Sequence, residues 1–144
     1  MTIKIQKLSN SAKTPEIQTS GSAGADIHAC IDKEVIIRPG ETIKIPTGIA
    51  MAIPSGYGGF IFARSGLASK KGLAPANKVG VVDSDYRGEV MVALHNHSND
   101  IATITPGERI AQIAILPVIL PVFEEAESLD ETERGNGGFG STGA

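Results

Sequence analysis

Two stretches of this chain place polar side chains where turns are expected, and each suits a particular chemistry. In Gly80-Val81-Val82-Asp83-Ser84-Asp85-Tyr86-Arg87-Gly88-Glu89 a strand runs into a tight turn carrying two acids and an aromatic ring, and a new strand follows. Asp83 at the strand end could orient and deprotonate a water, and Tyr86 could pack flat against a sugar. An acidic turn with no catalytic part would use the same residue types, because Asp and Gly favour turns anyway. In Ala63-Arg64-Ser65-Gly66-Leu67 an Arg, a Ser hydroxyl and the free N–H groups of a helix start are well suited to phosphate. Taken alone, an N-cap serine beside a surface arginine explains that fragment as simply.

A third stretch closes the chain. Arg134-Gly135-Asn136-Gly137-Gly138-Phe139-Gly140-Ser141-Thr142-Gly143 mixes five glycines with one Arg, one Phe and two hydroxyls. That much glycine opposes any stable element, so a flexible tail is expected. An inert tail has no need of an Arg, a Phe and two hydroxyls, which leaves a lid over a bound ligand as the other reading.

Other catalytic signatures are missing. There is no G-x-x-x-x-G-K-[ST], C-x-x-C or H-E-x-x-H, so neither a P-loop nor a zinc site is signalled. His28, His95 and His97 are scattered; the last two share one strand face but lack a third ligand. Gly21-Ser22-Ala23-Gly24 is followed by no helix and is no dinucleotide fingerprint.

The elements that must position these residues are short. Turn signals recur at Pro39-Gly40, Pro54-Ser55-Gly56, Tyr86-Arg87-Gly88, Asn96 to Asn99 and Pro106-Gly107. Between them lie runs rich in Ile and Val at residues 34–37, 42–45, 48–53, 79–82, 90–94, 101–104 and 110–116. Such spacing predicts an all-β sandwich or barrel. Residues 65–71 could hold one short helix; residues 124–132 are too polar to build a core. The echo of Arg38-Pro39-Gly40-Glu41 in Thr105-Pro106-Gly107-Glu108 reads as two type II turns and predicts two hairpins of similar build. The run 110–122 is almost wholly apolar, with Pro117 and Pro121 inside it. It fits a central strand that prolines end, with an apolar excess that hints at subunit contacts.

The chain's 144 residues are the usual size of one domain, and 41% hydrophobic with 20% charged residues supplies a packed core. A net charge of −3 argues against broad nucleic-acid binding, which needs a basic footprint, but leaves room for a small anion. Cys30 is the single cysteine and reads as a small buried hydrophobe. The N-terminal eight residues alternate Ile3, Ile5 and Leu8 with Lys and Gln, which predicts a strand and no signal peptide. No apolar run approaches the roughly 20 residues needed to span a bilayer. A soluble, cytoplasmic setting is expected, in which the sequon Asn96-His97-Ser98 is accidental.

Together these pieces resemble the trimeric dUTP pyrophosphatase (dUTPase) family. Five motifs of that family stand in order: Ala23-Gly24-Ala25-Asp26-Ile27-His28-Ala29; Ala63-Arg64-Ser65-Gly66-Leu67-Ala68; Asn77 through Gly88; Pro106-Gly107-Glu108-Arg109-Ile110-Ala111-Gln112; and the tail from Arg134 to Gly143. The resemblance implies a jelly-roll-like, β-clip subunit spanning residues 1–133, with 134–144 as a flexible lid. It further implies a homotrimer whose active sites lie at subunit interfaces, with no nucleic-acid or membrane partner. The implied reaction is hydrolysis of dUTP to dUMP and pyrophosphate, which limits dUTP and supplies dUMP for dTMP synthesis.

Carried over by position, Asp83 resembles the base that activates water for in-line attack on the α-phosphorus. Asn77 and the backbone around Gly80 and Val82 resemble the uracil reader, and Tyr86 the ring that packs on deoxyribose. Arg64, Ser65, Gly66 and Gln112 match positions that hold the phosphate chain. Phe139 matches an aromatic that stacks on uracil, worth about 1–3 kcal/mol. Arg134, Gly140, Ser141 and Thr142 match groups near the β- and γ-phosphates. Mg²⁺ is the implied cofactor, held mainly by substrate oxygens, with Asp26 near its waters and Arg109 orienting its neighbours. One stretch departs from the pattern: Tyr57-Gly58-Gly59-Phe60-Ile61-Phe62-Ala63 stands where many relatives carry a basic or proline-containing run. Two other functions fit less of the chain. A dCTP deaminase-like enzyme needs a glutamate at the cytosine amino group, and Glu89, past the turn, is the only one nearby. A non-catalytic β-trimer binding module would not need Asp83 or the tail.

Overall fold

In a computed structural model, residues 1–138 are described. Eleven strands and one helix form in the order β1 (Lys4–Lys7), β2 (Ala25–His28), β3 (Val35–Ile37), β4 (Thr42–Pro46), β5 (Ile49–Ala52), β6 (Tyr57–Phe62), α1 (Ser65–Lys71), β7 (Leu73–Pro75), β8 (Gly80–Val82), β9 (Met91–Asn96), β10 (Ala102–Ile104) and β11 (Arg109–Pro117). The all-β expectation and the one short helix at 65–71 both hold. The helix stops at Gly72, which takes the left-handed conformation at φ 64° and donates its N–H back to Ala68. No helix among the described residues is long and apolar enough to cross a membrane.

The strands form a four-stranded sheet β2-β11-β6-β8, a three-stranded sheet β4-β9-β7, and the pairs β1-β5 and β10-β3, every pairing antiparallel. No two strands consecutive in the chain pair with each other, the jelly-roll kind of connectivity. One apolar cluster unites the sheets, with Ile27, Ile37, Ile45, Ile49, Leu94 and Ile110 fully enclosed.

This topology corrects the hairpin expectation. Gly40 and Gly107 do take the positive φ of type II turns, 73° and 72°. In each turn the final Glu N–H bonds back to the first carbonyl, Glu41 to Arg38 at 3.0 Å and Glu108 to Thr105 at 3.1 Å. Yet β3 and β4 pair with β10 and β9, and β10 and β11 likewise belong to different sheets. A type II turn splays its flanking strands, whereas the mirror-image turns match hairpin twist. Pro-Gly therefore carries the chain around a corner between sheets. The segment 83–90 does the same between β8 and β9, so it too is a corner and not a hairpin.

The apolar run is the central strand β11, flanked by β2 and β6 and ended by Pro117. Beyond it Ile119, Leu120, Val122 and Phe123 are exposed. The unusual glycine-rich stretch makes regular strand β6. A Cβ on Gly59 would come within 2.9 Å of Ile53 Cδ1 and 3.0 Å of Ile113 Cδ1, so glycine there lets the core close. Cys30 is half-buried against the core, its Sγ 3.3 Å from Ser11 Oγ. Asn96 is fully buried and its amide is saturated, donating to the Ile37 and Asp100 carbonyls and accepting from Ser98 N–H and hydroxyl. A glycan has no access to that nitrogen in the folded chain.

Candidate active site

The residues singled out in the sequence gather in two separate clefts. The first, about 360 Å³, is lined by Asn77, Gly80, Val82, Asp83 and Tyr86 together with Lys44 and Glu89. Asn77 is set there by a tight turn in which Lys78 takes φ 65° and Val79 N–H donates to the Asn77 carbonyl at 2.7 Å. Gly80 leaves room beside it: a Cβ would stand 3.5 Å from Asn77 Nδ2 and 3.2 Å from Ile61 Cβ. Asp83 follows the last residue of β8, exposed to the cleft, and its carboxylate makes no hydrogen bond among the described residues. A carboxylate with all its lone pairs free can hold and deprotonate a water.

The second cleft, about 300 Å³, is lined by Asp26, Arg64, Ser65, Gly66 and Gln112, with Gln18, Ser22, Ala23 and Gly24 completing it. No described residue lines both clefts. Arg64, not Ser65, is the N-cap of α1, and among the described residues no side chain caps the helix. This removes the capping explanation for Ser65: its hydroxyl caps nothing, and the first N–H groups of the helix have no intrahelical acceptor.

A β-bulge builds the rest of this cleft. Arg109 pairs with His28 and Gln112 with Asp26, with a register shift between Arg109 and Ala111. Asp26 and His28, two apart on a strand, face one way. The inserted residue therefore brings Arg109 and Gln112, three apart, to that same face, which regular alternation would forbid. Asp26 becomes the hub: Arg64 Nε donates to its Oδ1 at 2.7 Å and Arg109 donates to its Oδ2 at 3.1 Å. Gln112 Nε2 donates to the Ala63 carbonyl at 3.0 Å. Beside the hub, His28 Nδ1 is buried with no partner among the described residues; burial first, then the Lys13 charge, pushes the imidazole below its ordinary value.

The Asp26–Arg64–Arg109 contact was not readable in the sequence, and neither was Gln18 as a lining residue. Lys44 had a weak signal, since it alternates on β4 with half-buried Ile43 and buried Ile45 and so must face outward. Arg134 lies in neither cleft; its Nε donates to the Gly137 carbonyl at 2.8 Å. Phe139, Gly140, Ser141 and Thr142 lie outside the described residues. Among the described residues no three His, Cys, Asp or Glu side chains come together as an ion cage.

The sequence model of the dUTPase family matches residues 10–143. A deoxyuridine 5'-triphosphate nucleotidohydrolase of Desulfitobacterium hafniense is 55% identical over 132 residues, covering 91% of this chain and 87% of its own length. One from Syntrophotalea carbinolica is 46% identical, covering 99% of this chain and 97% of its own. Among solved structures, a Staphylococcus bacteriophage 80alpha dUTPase mutant with dUpNHpp superposes with a TM-score of 0.89 at 30% identity, covering 99% of each chain. A mutant dUTPase from phage phi11 of S. aureus, described as showing the coordination of a structural Mg(II) ion, gives 0.78 at 27% identity over 89% of this chain and 98% of that one.

Proposed function

Because this chain belongs to the dUTPase family, we propose that it is a dUTP diphosphatase built as a homotrimer, with each pocket built from two chains and closed by the tail of the third. The enzyme hydrolyses dUTP to dUMP and pyrophosphate, limiting dUTP and supplying dUMP. The observation that carries the reading is the gathering of Asn77, Gly80, Val82, Asp83 and Tyr86 in one cleft and of Arg64, Ser65, Gly66 and Gln112 in another. A nucleoside triphosphate needs both kinds of surface. The first cleft would take base, sugar and water; the second, the phosphate chain.

In this reading Asp83 takes a proton from water as the water oxygen bonds to the α-phosphorus. The bond from that phosphorus to the bridging oxygen breaks, and the electron pair leaves on pyrophosphate. Asn77 and the main chain at Gly80 and Val82 read the uracil edge, a contact that rejects cytosine by leaving buried groups mispaired. Tyr86 covers the deoxyribose. Arg64, Ser65, Gly66 and Gln112 hold the phosphates and offset developing charge.

Mg²⁺ fits this donor set as an ion carried on substrate oxygens and waters, the usual way it is bound at phosphate sites. When bound, it would supply charge neutralisation along the phosphate chain. Each Asp26 oxygen meets one arginine N–H, and a remaining lone pair could hold a metal-bound water. Residues 134–144 are proposed as the lid, with Arg134, Gly140, Ser141 and Thr142 reaching the outer phosphates and Phe139 stacking on uracil. A cytoplasmic setting, where nucleotide pools lie, belongs to the same proposal.

The test is pyrophosphate release from dUTP, dCTP, dTTP and UTP, with Mg²⁺ and with EDTA, on the full chain and on a chain ending at residue 133. Metal-dependent release from dUTP alone is expected, with the shortened chain crippled. Ammonia from dCTP would move the protein to the deaminase branch, and no turnover of any substrate would leave a binding module. Full activity of the shortened chain would remove the lid.

A further inference from the structure

Tyr86 does not stand free in its cleft. Its ring folds back over the turn that carries it, and its hydroxyl donates to the Glu89 carbonyl at 3.0 Å. The ring passes directly over Gly88: a Cβ built there would collide with Tyr86 Oη and lie 2.7 Å from Cζ. Gly88 is absent from the positive-φ glycines, so its backbone would accept alanine, but a Cβ there would push the Tyr86 ring aside.

The acceptor of that hydroxyl is itself pinned. Glu89 Oε1 accepts the Gly48 N–H at 2.7 Å, Val90 N–H donates to the Ile49 carbonyl at 2.8 Å, and the Thr47 hydroxyl donates to the Val90 carbonyl. Thr47, Ile49 and Val90 are buried. A continuous set of bonds thus runs from the core through Glu89 to the phenol. The Glu89 carboxylate is also committed to a main-chain N–H, which places it in a structural job.

We propose that Gly88 and Glu89 are positioning residues that set the sugar selectivity of the first cleft. Gly88 gives the Tyr86 ring its resting place, and Glu89 ties that place to the core. The ring is held at a fixed height over the sugar, where it denies space to a 2′-hydroxyl. This inference rests on the reading of Tyr86 as the sugar-facing ring.

The experiment compares kcat/KM for dUTP with that for UTP in the full chain and in Gly88→Ala, Tyr86→Ala and the double variant. Tyr86→Ala lowers the dUTP/UTP ratio. Gly88→Ala lowers it by about tenfold or more, the scale of effect of a sub-ångström to ångström misplacement. In the Tyr86→Ala background Gly88→Ala changes nothing further, because the atoms it collides with are gone. Equal effects of Gly88→Ala in both backgrounds, or no effect in the native one, overturn the inference while the sugar-gate reading stands. An unchanged ratio in Tyr86→Ala removes that reading and the inference with it. Glu89→Ala should lower the ratio as well, and Glu89→Gln, whose amide oxygen still accepts from Gly48, should restore most of it; no rescue counts against Glu89. Should Gly88→Ala give little folded protein, Tyr86→Phe carries the test: it drops the Glu89 bond without touching the turn. A ratio lowered severalfold supports the proposal, and an unchanged one overturns it.

Discussion

Asp26 carries more of the second cleft than any other side chain. Its carboxylate is 8% exposed and both oxygens are held by guanidinium groups, Arg64 from the start of α1 and Arg109 from the bulge of β11. Burying a carboxylate is costly unless it is paired, and removing it strands its partners. The arginines are 25% and 46% exposed, so water screens part of that cost. Asp26→Asn should therefore lose about 1–2 kcal/mol in chemical denaturation. It should also raise KM for dUTP by about tenfold, because Arg64 loses its orientation. A role confined to a metal-bound water predicts the opposite pattern, with unchanged stability and a shifted Mg²⁺ requirement, so the two measurements separate the roles. This hub was invisible in the sequence for a plain reason. Its partners lie 38 and 83 residues away, and no local spacing encodes such a meeting. Asp83 and Tyr86 were legible because one turn holds both.

At the scale of elements, α1 is tied down at its far end as well. Lys71 Nζ donates to Glu108 Oε1 at 2.6 Å and to the Thr103 carbonyl at 2.7 Å, which joins the helix to the corner before β11. Burial by itself raises the Glu108 carboxyl, but the bonds from Lys71 and Thr105 outweigh it and hold the group below its ordinary value of 4.5. A depressed folded value means this stability is fully present above the ordinary value and is lost as pH falls through the folded one. Glu108→Gln should thus lower Tm at pH 7, and the gap to the native chain should close as both are titrated below the carboxylate range. A gap that stays constant to pH 3 would assign the loss to packing instead of charge. The same corner shows what sequence reading could and could not reach. Strand positions and the helix at Ser65–Lys71 were readable, because Pro-Gly turns and a left-handed Gly72 punctuate them. β2 was missed: Ala25-Asp26-Ile27-His28 does alternate apolar and polar residues, but over only four positions, and two of them, Ala25 and Asp26, are types depleted in strands. β7 was missed because Leu73-Ala74-Pro75 ends in proline and holds none of the Ile and Val that mark the other three-residue strands. Pairing was out of reach because no strand pairs with its neighbour in the chain.

At the scale of the whole molecule, the two clefts are lined by disjoint sets of the described residues. Beyond β11 the chain leaves Ile119, Leu120, Val122, Phe123 and Leu129 in water, each at least 78% exposed. A run of that kind is what a neighbouring subunit covers. If each site joins the first cleft of one chain to the second cleft of another, two different losses can complement each other. Asp83→Asn removes the base and Arg64→Gln removes a phosphate donor, so each pure trimer should be inactive on dUTP. Co-expressed in equal amounts with distinct tags, the two chains should assemble into mixed trimers. A site regains function when its first cleft comes from the Arg64→Gln chain and its second from the Asp83→Asn chain. With random assembly each condition holds half the time, so about one quarter of native activity should return. Sites built within one chain always keep one damaged half, and their mixtures would stay silent. Recovery near one quarter therefore measures the shared site directly, and silence from verified mixed trimers would return both clefts to a single chain.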